Sequence, residues 1–462
     1  MKLVYGIKDK PKFPQLLIFA FQQVLAILAA TIAVPAIINS NEAVLGNLPA
    51  FATGEGMSAA AALFGAGVGT IVYQLFTKFR SPVFLGSSFA FIGPLVAAFA
   101  GATSAAAGFA GIIIGAIFAG LVYVIIAAVV KFVGVGWINK LMPPVVIGPT
   151  VALIGLSLAG AAIKDVFSYG PQDANGSFIM STNLWASLAC ALVTLAVVTL
   201  VSTYGKKMIK LIPFIIGILA GYLVATIFTV IGISTGNDAL KVVDFSVFEN
   251  MKLIQLPDFT FLEGLKGLKE INGSYIVTLA VAYVPVAFVV FAEHIADHKN
   301  LSSIIGTELL EEPGLHRTLL GDGVGSFVGA FFGGCPNTTY GESVGCVAIT
   351  RNASVVTITT AAIMSIIISF FGPFVAFLDS IPGCVMGGVC ITLYGFIACS
   401  GLKMIQKVDL NQNKNLFVAA VILITGIGGM AMAIGKVTLT TTACALILGI
   451  LTNLMLSRGK EE

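Results

Sequence analysis

Long apolar stretches separated by short polar ones run along the whole chain and predict membrane-spanning helices. A bilayer core takes about 20 apolar residues as a helix, and stretches of roughly this length recur throughout the sequence. The predicted spans are 16–38, 57–76, 83–100, 108–130, 144–163, 184–203, 211–233, 274–293, 317–333, 337–350, 354–371, 384–400, 415–434 and 438–456. We therefore expect an all-α membrane protein with 14 transmembrane segments, of which the third and the tenth are too short for ordinary crossings.

The long polar stretch 234–273 divides the chain between the seventh and eighth predicted spans. Seven spans on each side enter and leave the membrane in opposite senses, because an odd number of crossings reverses the direction of the chain. Two such halves form an inverted repeat, which is a common architecture of secondary transporters. We therefore expect two inverted 7-segment repeats, with the short broken segments at corresponding positions.

Basic residues predict which ends of the spans face the cytoplasm, because lysine and arginine are enriched in cytoplasmic loops. With the N-terminus inside, 19 of the 25 basic residues fall in cytoplasmic segments. These are Lys2, Lys8, Lys10, Lys12, Lys78, Arg80, Lys131, Lys140, Lys206, Lys207, Lys210, Lys299, Arg317, Arg351, Lys403, Lys407, Lys414, Arg458 and Lys460. We expect a multi-pass protein of the cytoplasmic (inner) membrane with both termini in the cytoplasm.

Composition supports a lipid environment and excludes several classes of protein. The chain is 57% hydrophobic and only 10% charged, against about a quarter charged in soluble domains, and its mean hydropathy is +1.00. A net charge of +3 is too small to indicate nucleic acid binding. The predicted spans contain no nucleophile–base pair and no spacing typical of metal ligands, so we expect neither an enzyme nor a metal or cofactor site.

The two short segments mix glycine, serine, threonine and proline at membrane depth. They run from Phe84 to Pro94 and from Gly333 to Glu342. Such backbone is tolerated in lipid only where protein or a cavity surrounds it, and matching interrupted segments in two halves indicate a substrate site. A half-helix that begins there leaves N–H groups free to donate to a ligand. The alternative is that the glycines only allow close helix packing.

Most acidic residues lie in loops, and two carboxylates within predicted spans are singled out as candidates. Glu293 ends the apolar run of the eighth span, and Glu342 lies inside the tenth. An acid in hydrocarbon is costly and is a functional candidate by default. Because burial favours its neutral form, such a group can load and release a proton. The alternative for each residue is a structural hydrogen bond to a neighbouring helix.

Asp297 follows Glu293 by four residues and therefore shares its helix face. Two ionised carboxylates at that spacing repel, so one of them holds a proton more readily. The alternative is that Asp297 already reaches cytoplasmic water as a solvated charge. We expect His298 and Lys299 to lie at the membrane interface.

Several motifs resemble the nucleobase–ascorbate transporter family, and more closely its bacterial uracil permease branch. The most specific is the run from Pro336 to Gly345 that continues to Ala348-Ile349-Thr350-Arg351. The other matching stretches are Ala292-Glu293-His294, Gly86-Ser87-Ser88-Phe89-Ala90-Phe91, Pro313-Gly314-Leu315-His316-Arg317 and Val385-Met386-Gly387-Gly388-Val389, the last followed by Tyr394-Gly395.

The resemblance implies a core domain of spans 1–4 and 8–11 that works against a gate domain of spans 5–7 and 12–14. It also implies a homodimer that forms through the gate domain. On this chain the first halves of the core and gate domains are 1–140 and 141–233, the extracytoplasmic loop is 234–273, and the second halves are 274–378 and 379–462.

The resemblance further implies a uracil site between spans 3, 8 and 10. In such a site Glu293 and Glu342 accept hydrogen bonds from the two ring N–H groups, while the backbone N–H groups of Phe89 and Gly341 meet the ring carbonyls. The rings of Phe89 and Tyr340 flank the substrate. Ser88, Ala30 and Tyr394 complete the implied substrate-binding set.

Proton coupling is implied for Glu293 and Asp297, but this chain departs from the family pattern at three positions. Asp297 stands where uracil permeases often have histidine, Gln23 replaces a histidine in the first span, and Cys390 replaces a common serine. These departures leave the two binding carboxylates intact and leave the proton pathway open.

The chemistry of uracil agrees independently with this set of groups. Uracil is neutral and planar, with two N–H donors and two carbonyl acceptors, which two carboxylates and two half-helix N-termini complement. A buried polar group left unpaired costs ~1–3 kcal/mol, which is enough to discriminate among bases. The expected function is proton-coupled uracil import. The alternatives are a xanthine or purine permease of the same fold, and an anion exchanger or channel with the same architecture.

Overall fold

The protein is described here by a computed structural model that covers residues 3–53, 56–134, 137, 142–206, 209–249, 251–434 and 437–457. The predicted domain boundary at 140–141 lies outside the described residues. So do five of the 19 basic residues assigned to cytoplasmic segments, namely Lys2, Lys140, Lys207, Arg458 and Lys460.

Helices dominate the described part of the chain, and each predicted span overlaps a helical segment. Before the long loop they are α1 (Phe13–Ser40), α2 (Glu42–Asn47), α3 (Ala59–Phe76), α4 (Ile92–Ala100), α5 (Ala105–Val133), α6 (Pro144–Ser157), α7 (Ala159–Val166), α8 (Thr182–Tyr204) and α9 (Pro213–Thr235). A short helix, α10 (Thr260–Gly267), lies within the loop.

The second half repeats this helical character. Its helices are α11 (Gly273–Ile305), α12 (Leu315–Gly333), α13 (Gly341–Thr350), α14 (Val355–Ser369), α15 (Gly372–Asp379), α16 (Gly383–Ile405), α17 (Asn413–Ile427) and α18 (Thr441–Leu456). By length and composition, 8 helical segments of the described chain could cross a membrane, with α6 and α7 counted together. Shorter apolar helices include Phe89–Ala100 and Val355–Ser369. The chain is therefore a mostly helical, multi-pass membrane protein.

The expected helical fold is confirmed in its main character, and the described residues add four short strands to the helices. β1 (Leu85–Ser87) pairs antiparallel with β2 (Asn337–Thr339), and β3 (Met432–Ile434) pairs with β4 (Val437–Leu439). Backbone polar groups inside a membrane must be paired within the protein. Where the third and tenth segments are not helical, the β1–β2 ladder supplies these pairs. The register joins Leu85 to Thr339 and Ser87 to Asn337.

Each of the two short segments thus consists of a strand followed by a half-helix. β1 leads through a 3₁₀ turn, Phe89–Phe91, into α4, and β2 leads directly into α13. Pairing of the strands sets the two half-helix starts beside each other in the interior of the protein. This arrangement is the broken geometry expected for these two segments.

α11 is longer than its predicted span, which ended at residue 293. The helix continues to Ile305 and ends at Gly306, whose φ of +70° places it in the left-handed conformation typical of a helix C-terminus. The extra turns carry Asp297, His298 and Lys299, whose polarity resembled a loop. Their helical conformation persists because His298 packs against other elements instead of water.

The elements that position the site are packed closely through small residues. α12 packs against α3 and α5, and α1 packs against α14. A Cβ on Gly65 of α3 would lie 2.6 Å from the carbonyl oxygen of Gly329 in α12. The helices therefore approach to a distance that only glycine permits, as small residues commonly allow in membranes.

Candidate substrate cavity

A cavity of about 410 Å³ lies between two unlike walls. One wall comes from α11 and the two broken segments, and consists of Ser88, Phe89, Ala90, Glu293, Ala296, Asp297, Thr338, Thr339, Tyr340, Gly341 and Glu342. The other comes from α6, α9 and α16, and consists of Val151, Ile154, Phe214, Leu393, Phe396, Ile397, Ser400 and Met404. The polar and ionisable groups are concentrated on the first wall, while the second is apolar apart from one hydroxyl.

Glu293 and Glu342, the two carboxylates singled out by sequence, line this same cavity. Glu293 lies on α11, and Glu342 is the second residue of α13. The partial positive charge of a helix N-terminus favours an anionic group in its first turn, which supports Glu342 at that position.

The N-terminus of α13 is open on the side of the cavity. Tyr340 precedes the helix without capping it by a side-chain hydrogen bond. The first N–H groups of a helix lack intrahelical partners, so that of Gly341 is available to a ligand. Both Tyr340 and Gly341 line the cavity, as predicted from the tenth-segment motif.

The third segment presents a second open turn to the cavity. Ser88 precedes the 3₁₀ turn Phe89–Phe91 without a side-chain cap, and its own N–H donates to the carbonyl of Pro336 at 3.0 Å. The Ser88 hydroxyl is buried with no hydrogen-bond partner among the described residues. Ser88 and Phe89 both line the cavity.

Tyr340 is fixed against the first strand, which gives Gly86 a structural reason to be glycine. The Tyr340 hydroxyl donates to the carbonyl of Ser87 at 2.7 Å, and its N–H donates to the carbonyl of Phe84 at 3.2 Å. A Cβ on Gly86 would overlap the Tyr340 ring. The ring orientation beside the cavity therefore depends on contacts between the two broken segments.

Asp297 lies on the cavity wall and is hydrogen-bonded there. The Thr339 hydroxyl donates to Asp297 Oδ2 at 2.8 Å, which joins α11 to β2. This bond and the cavity position, together with Glu293 on the same helix face, favour a role at the site over that of a charge on the protein surface.

Ala30 and Tyr394, which the resemblance placed on the cavity lining, do not line this cavity. Ala30 is 1% exposed within α1, and Tyr394 is 2% exposed within α16. The Tyr394 ring packs edge-on against that of Phe89, with ring centroids 6.0 Å apart. Tyr394 therefore contacts a residue of the cavity wall without lining the cavity itself.

Two residues that replace common family residues also lie away from the cavity lining. Gln23 is buried in α1, where its amide donates to the Ser343 hydroxyl one residue after Glu342. The same hydroxyl accepts from the N–H of Phe84 at 3.1 Å. Gln23 thus ties the first turn of α13 to α1. Cys390 is buried in α16.

A polar cluster behind α11 was not predicted from the sequence. His294 Nδ1 lies 2.7 Å from Asp322 Oδ2, and His294 Nε2 lies 2.9 Å from the hydroxyl of Thr318. Asp322 lies within the predicted ninth span, so the rule that marked Glu293 and Glu342 marks it as well. The residues next to Asp322 in the sequence are mostly small, and they do not indicate a histidine partner on another helix.

The second histidine of α11 is also buried, which corrects its expected place at the membrane interface. His298 is 0% exposed, and its Nδ1 donates to the carbonyl of His294 at 2.8 Å. The Tyr73 hydroxyl of α3 lies 2.7 Å both from His298 Nε2 and from the hydroxyl of Ser81. Among the described residues, no group of three or more His, Cys, Asp or Glu is placed to hold a metal ion.

Solved structures with the same fold are membrane transporters. The transmembrane domain of a cyanobacterium bicarbonate transporter, BicA, aligns with a TM-score of 0.57 at 16% identity, covering 98% of this chain and 100% of that one. The murine anion transporter Slc26a9 in the inward-facing state aligns with a TM-score of 0.63 at 13% identity, covering 97% and 69%. At such low identity the likeness shows the fold alone.

Sequence comparisons identify the family. The uracil permease of Bacillus subtilis (strain 168) is 36% identical over 100% of this chain and 97% of its own length. That of Bacillus caldolyticus is 38% identical over 98% and 95%, and that of Escherichia coli (strain K12) is 33% identical over 96% and 92%. Residues 14–435 match the Permease family. The chain therefore belongs to this permease family, whose members include the bacterial uracil permeases, and it is a membrane transporter rather than an enzyme.

Proposed function

We propose that this chain imports uracil together with a proton across the cytoplasmic membrane. The observation that carries the proposal is that Glu293 and Glu342 line one cavity into which the first turn of α13 opens. Two carboxylates accept from the two ring N–H groups of uracil, and the open turns at Phe89 and Gly341 donate to its carbonyls. The names of the relatives, uracil permeases over nearly the whole chain, support the same substrate.

The transport cycle proposed here is alternating access of two domains. The core domain comprises 1–140 and 274–378, and the gate domain comprises 141–233 and 379–462, as two inverted 7-segment repeats with both termini in the cytoplasm. The two-walled cavity supports this division, because its polar wall comes from the first set of ranges and its apolar wall from the second. Contact between two gate domains would form the homodimer.

Proton coupling follows from the carboxylates of the polar wall. A proton on Glu293 or Asp297 lets the cavity accept a neutral ligand with less buried charge, and its release to the cytoplasm disfavours uracil, which leaves. Each proton that crosses contributes ~2.3 kcal/mol per 100 mV of membrane potential. Asp297 supports the relay through its position on the same helix face as Glu293.

The test is uptake of labelled uracil into proteoliposomes, with and without an inward proton gradient. We expect the gradient to drive accumulation, and Glu293→Gln to abolish this response. Glu263→Gln makes the same chemical change on α10, where Glu263 is exposed and pairs with Lys266, and should behave as the wild type. Uptake that ignores both the gradient and Glu293→Gln would remove the symport proposal.

A purine or anion substrate is less well supported by the cavity. The structural neighbours carry anions, but three carboxylates, Glu293, Asp297 and Glu342, line the cavity of this chain and would repel an anion. Competition distinguishes a xanthine or purine permease. If the chain were one, excess unlabelled xanthine would block the uptake of labelled uracil more strongly than excess unlabelled uracil.

A further inference from the structure

The hydroxyl of Thr339 occupies a distinctive place in the cavity wall. Thr339 is the last residue of β2 and is 4% exposed. Its hydroxyl donates to Asp297 Oδ2 at 2.8 Å, and its backbone pairs with Leu85 of β1. A Cβ placed on Gly341 would lie 3.9 Å from Asp297 Oδ1. One oxygen of Asp297 is therefore bonded to the last residue of β2, and the other lies near the first residue of α13.

In the part of the chain that the structure describes, the ionisable groups close enough to interact electrostatically with Asp297 include no basic side chain. Glu293 lies one turn away on α11, Glu342 lies on α13, Asp322 lies on α12 behind α11, and the Tyr73 phenol lies on α3. Neither lysine nor arginine is among the residues that line the cavity. Among the described residues, Thr339 supplies the one side-chain hydrogen bond that the Asp297 carboxylate receives.

The other residues of β2 are tied to different elements. The Asn337 amide donates to the carbonyl of Gly65 in α3 at 3.0 Å, and the buried Thr338 hydroxyl has no hydrogen-bond partner in the part of the chain that the structure describes. Opposite Thr339, the N–H of Leu85 donates to the hydroxyl of Thr70, also in α3, at 2.9 Å. Both ends of the small sheet are therefore anchored to α3, and Thr339 joins the end that it shares with Leu85 to α11 as well.

We propose that Thr339 is a positioning residue that links the proton on Asp297 to the substrate-binding end of α13. A hydroxyl donor favours the ionised form of its carboxylate partner. When Asp297 takes up a proton, the hydrogen bond from the Thr339 hydroxyl weakens. The junction between β2 and α13, which carries Gly341 and Glu342, is then held less tightly to α11. Because linkage is reciprocal, bound uracil then alters the proton affinity of the cavity by the same factor. The inference rests on the proposed proton-coupled transport of uracil.

The sign of the expected effect follows from the donor role of Thr339. Thr339→Val keeps the shape of the side chain and removes the hydroxyl, so ionised Asp297 loses its donor and the proton-loaded form is favoured. In the proposed cycle the proton-loaded form binds uracil tightly. Tight binding is present below the pH midpoint of uracil affinity and is lost as pH rises through it. Thr339→Val should therefore move this midpoint upward, by about one pH unit.

The experiment measures the dissociation constant of labelled uracil across pH for the purified full-length protein. Thr339→Ser retains a hydroxyl and should restore the wild-type midpoint. Thr338→Val makes the same change one residue earlier, where the hydroxyl does not contact Asp297, so its effect on affinity should be equal at every pH. In an Asp297→Asn background, adding Thr339→Val should produce no further shift.

The outcomes separate this inference from the proposed function. A wild-type affinity that does not vary with pH would overturn proton coupling, and this inference with it. A pH-dependent wild type with an unmoved midpoint in Thr339→Val, or a serine variant that shifts as far as the valine variant, would overturn only the role of Thr339. If Thr339→Val does not fold, Thr339→Ala removes the same hydroxyl and is judged by the same midpoints.

Discussion

Both faces of α11 carry ionisable side chains, but the surroundings of the two faces differ. Glu293 and Asp297 face the cavity, while His294 and His298 face α12 and α3 and are 0% exposed. On the back face both rings are hydrogen-bonded and stacked, with centroids 4.0 Å apart. On the cavity face Asp297 receives one side-chain hydrogen bond, from Thr339.

Within one helix, therefore, some polar groups stabilise the fold and others are available to a ligand. Polar groups in a membrane interior are costly unless they are paired. On the back face the protein supplies the partners, which fixes the rotation of α11 about its axis. On the cavity face the protein leaves hydrogen-bonding groups available to a ligand. Substitutions on the back face should therefore change stability, and those on the cavity face should change binding.

The largest effect is expected from Asp322→Ala, which removes the partner of His294. Losing one member of a buried pair should lower the free energy of unfolding by about 3 kcal/mol. Thermal unfolding of the detergent-solubilised protein measures this change. Asp322→Asn keeps an acceptor oxygen and should lose much less. If Asp322→Ala unfolds like the wild type, the back face does not hold α11 in place.

Glu342→Gln should come next and should act on binding. Its carboxylate is expected to accept from a ring N–H of uracil, and a hydrogen bond to a charged group is worth about 1.5–3 kcal/mol. Uracil should therefore bind roughly 30-fold more weakly, with thermal unfolding unchanged. Binding to the purified protein, with Glu263→Gln as the control, decides this. Unaltered affinity would take Glu342 out of the proposed site.

The smallest effect is expected from Tyr73→Phe, which removes the hydroxyl that lies 2.7 Å from His298 Nε2. The hydroxyl bonds both His298 and Ser81, and these two lie 3.5 Å apart and can bond each other once it is gone. The net loss is then that of one buried hydrogen bond, so the free energy of unfolding should fall by about 1 kcal/mol. Uracil uptake should stay at the wild-type level, because Tyr73 does not line the cavity. A loss of uptake without a loss of stability would connect the back face directly to transport.

Local sequence patterns predicted those features of the molecule that depend on nearby residues. Apolar stretches predicted where helices lie, and Glu293 and Glu342 were marked by their depth within such stretches. Glycine, serine and proline in the third and tenth segments predicted interrupted helices, and both segments are interrupted. In each case the physical cause, burial in lipid or a break in helix geometry, acts within a few residues.

Features that depend on distant pairings were missed. Leu85 pairs with Thr339, and neither short strand has a side-chain pattern of its own that predicts pairing. The partnership of His294 with Asp322 depends on how α11 and α12 are rotated against each other. The contact between the Tyr394 and Phe89 rings likewise depends on how α16 packs against the third segment.

The most direct test of the account is an experimental structure of the protein with uracil bound. We expect the ring to lie between Phe89 and Tyr340, with one carboxylate oxygen of Glu293 and one of Glu342 within ~3.2 Å of the two ring nitrogens. Uracil bound outside this cavity, or ring nitrogens that face neither carboxylate, would contradict the central claim.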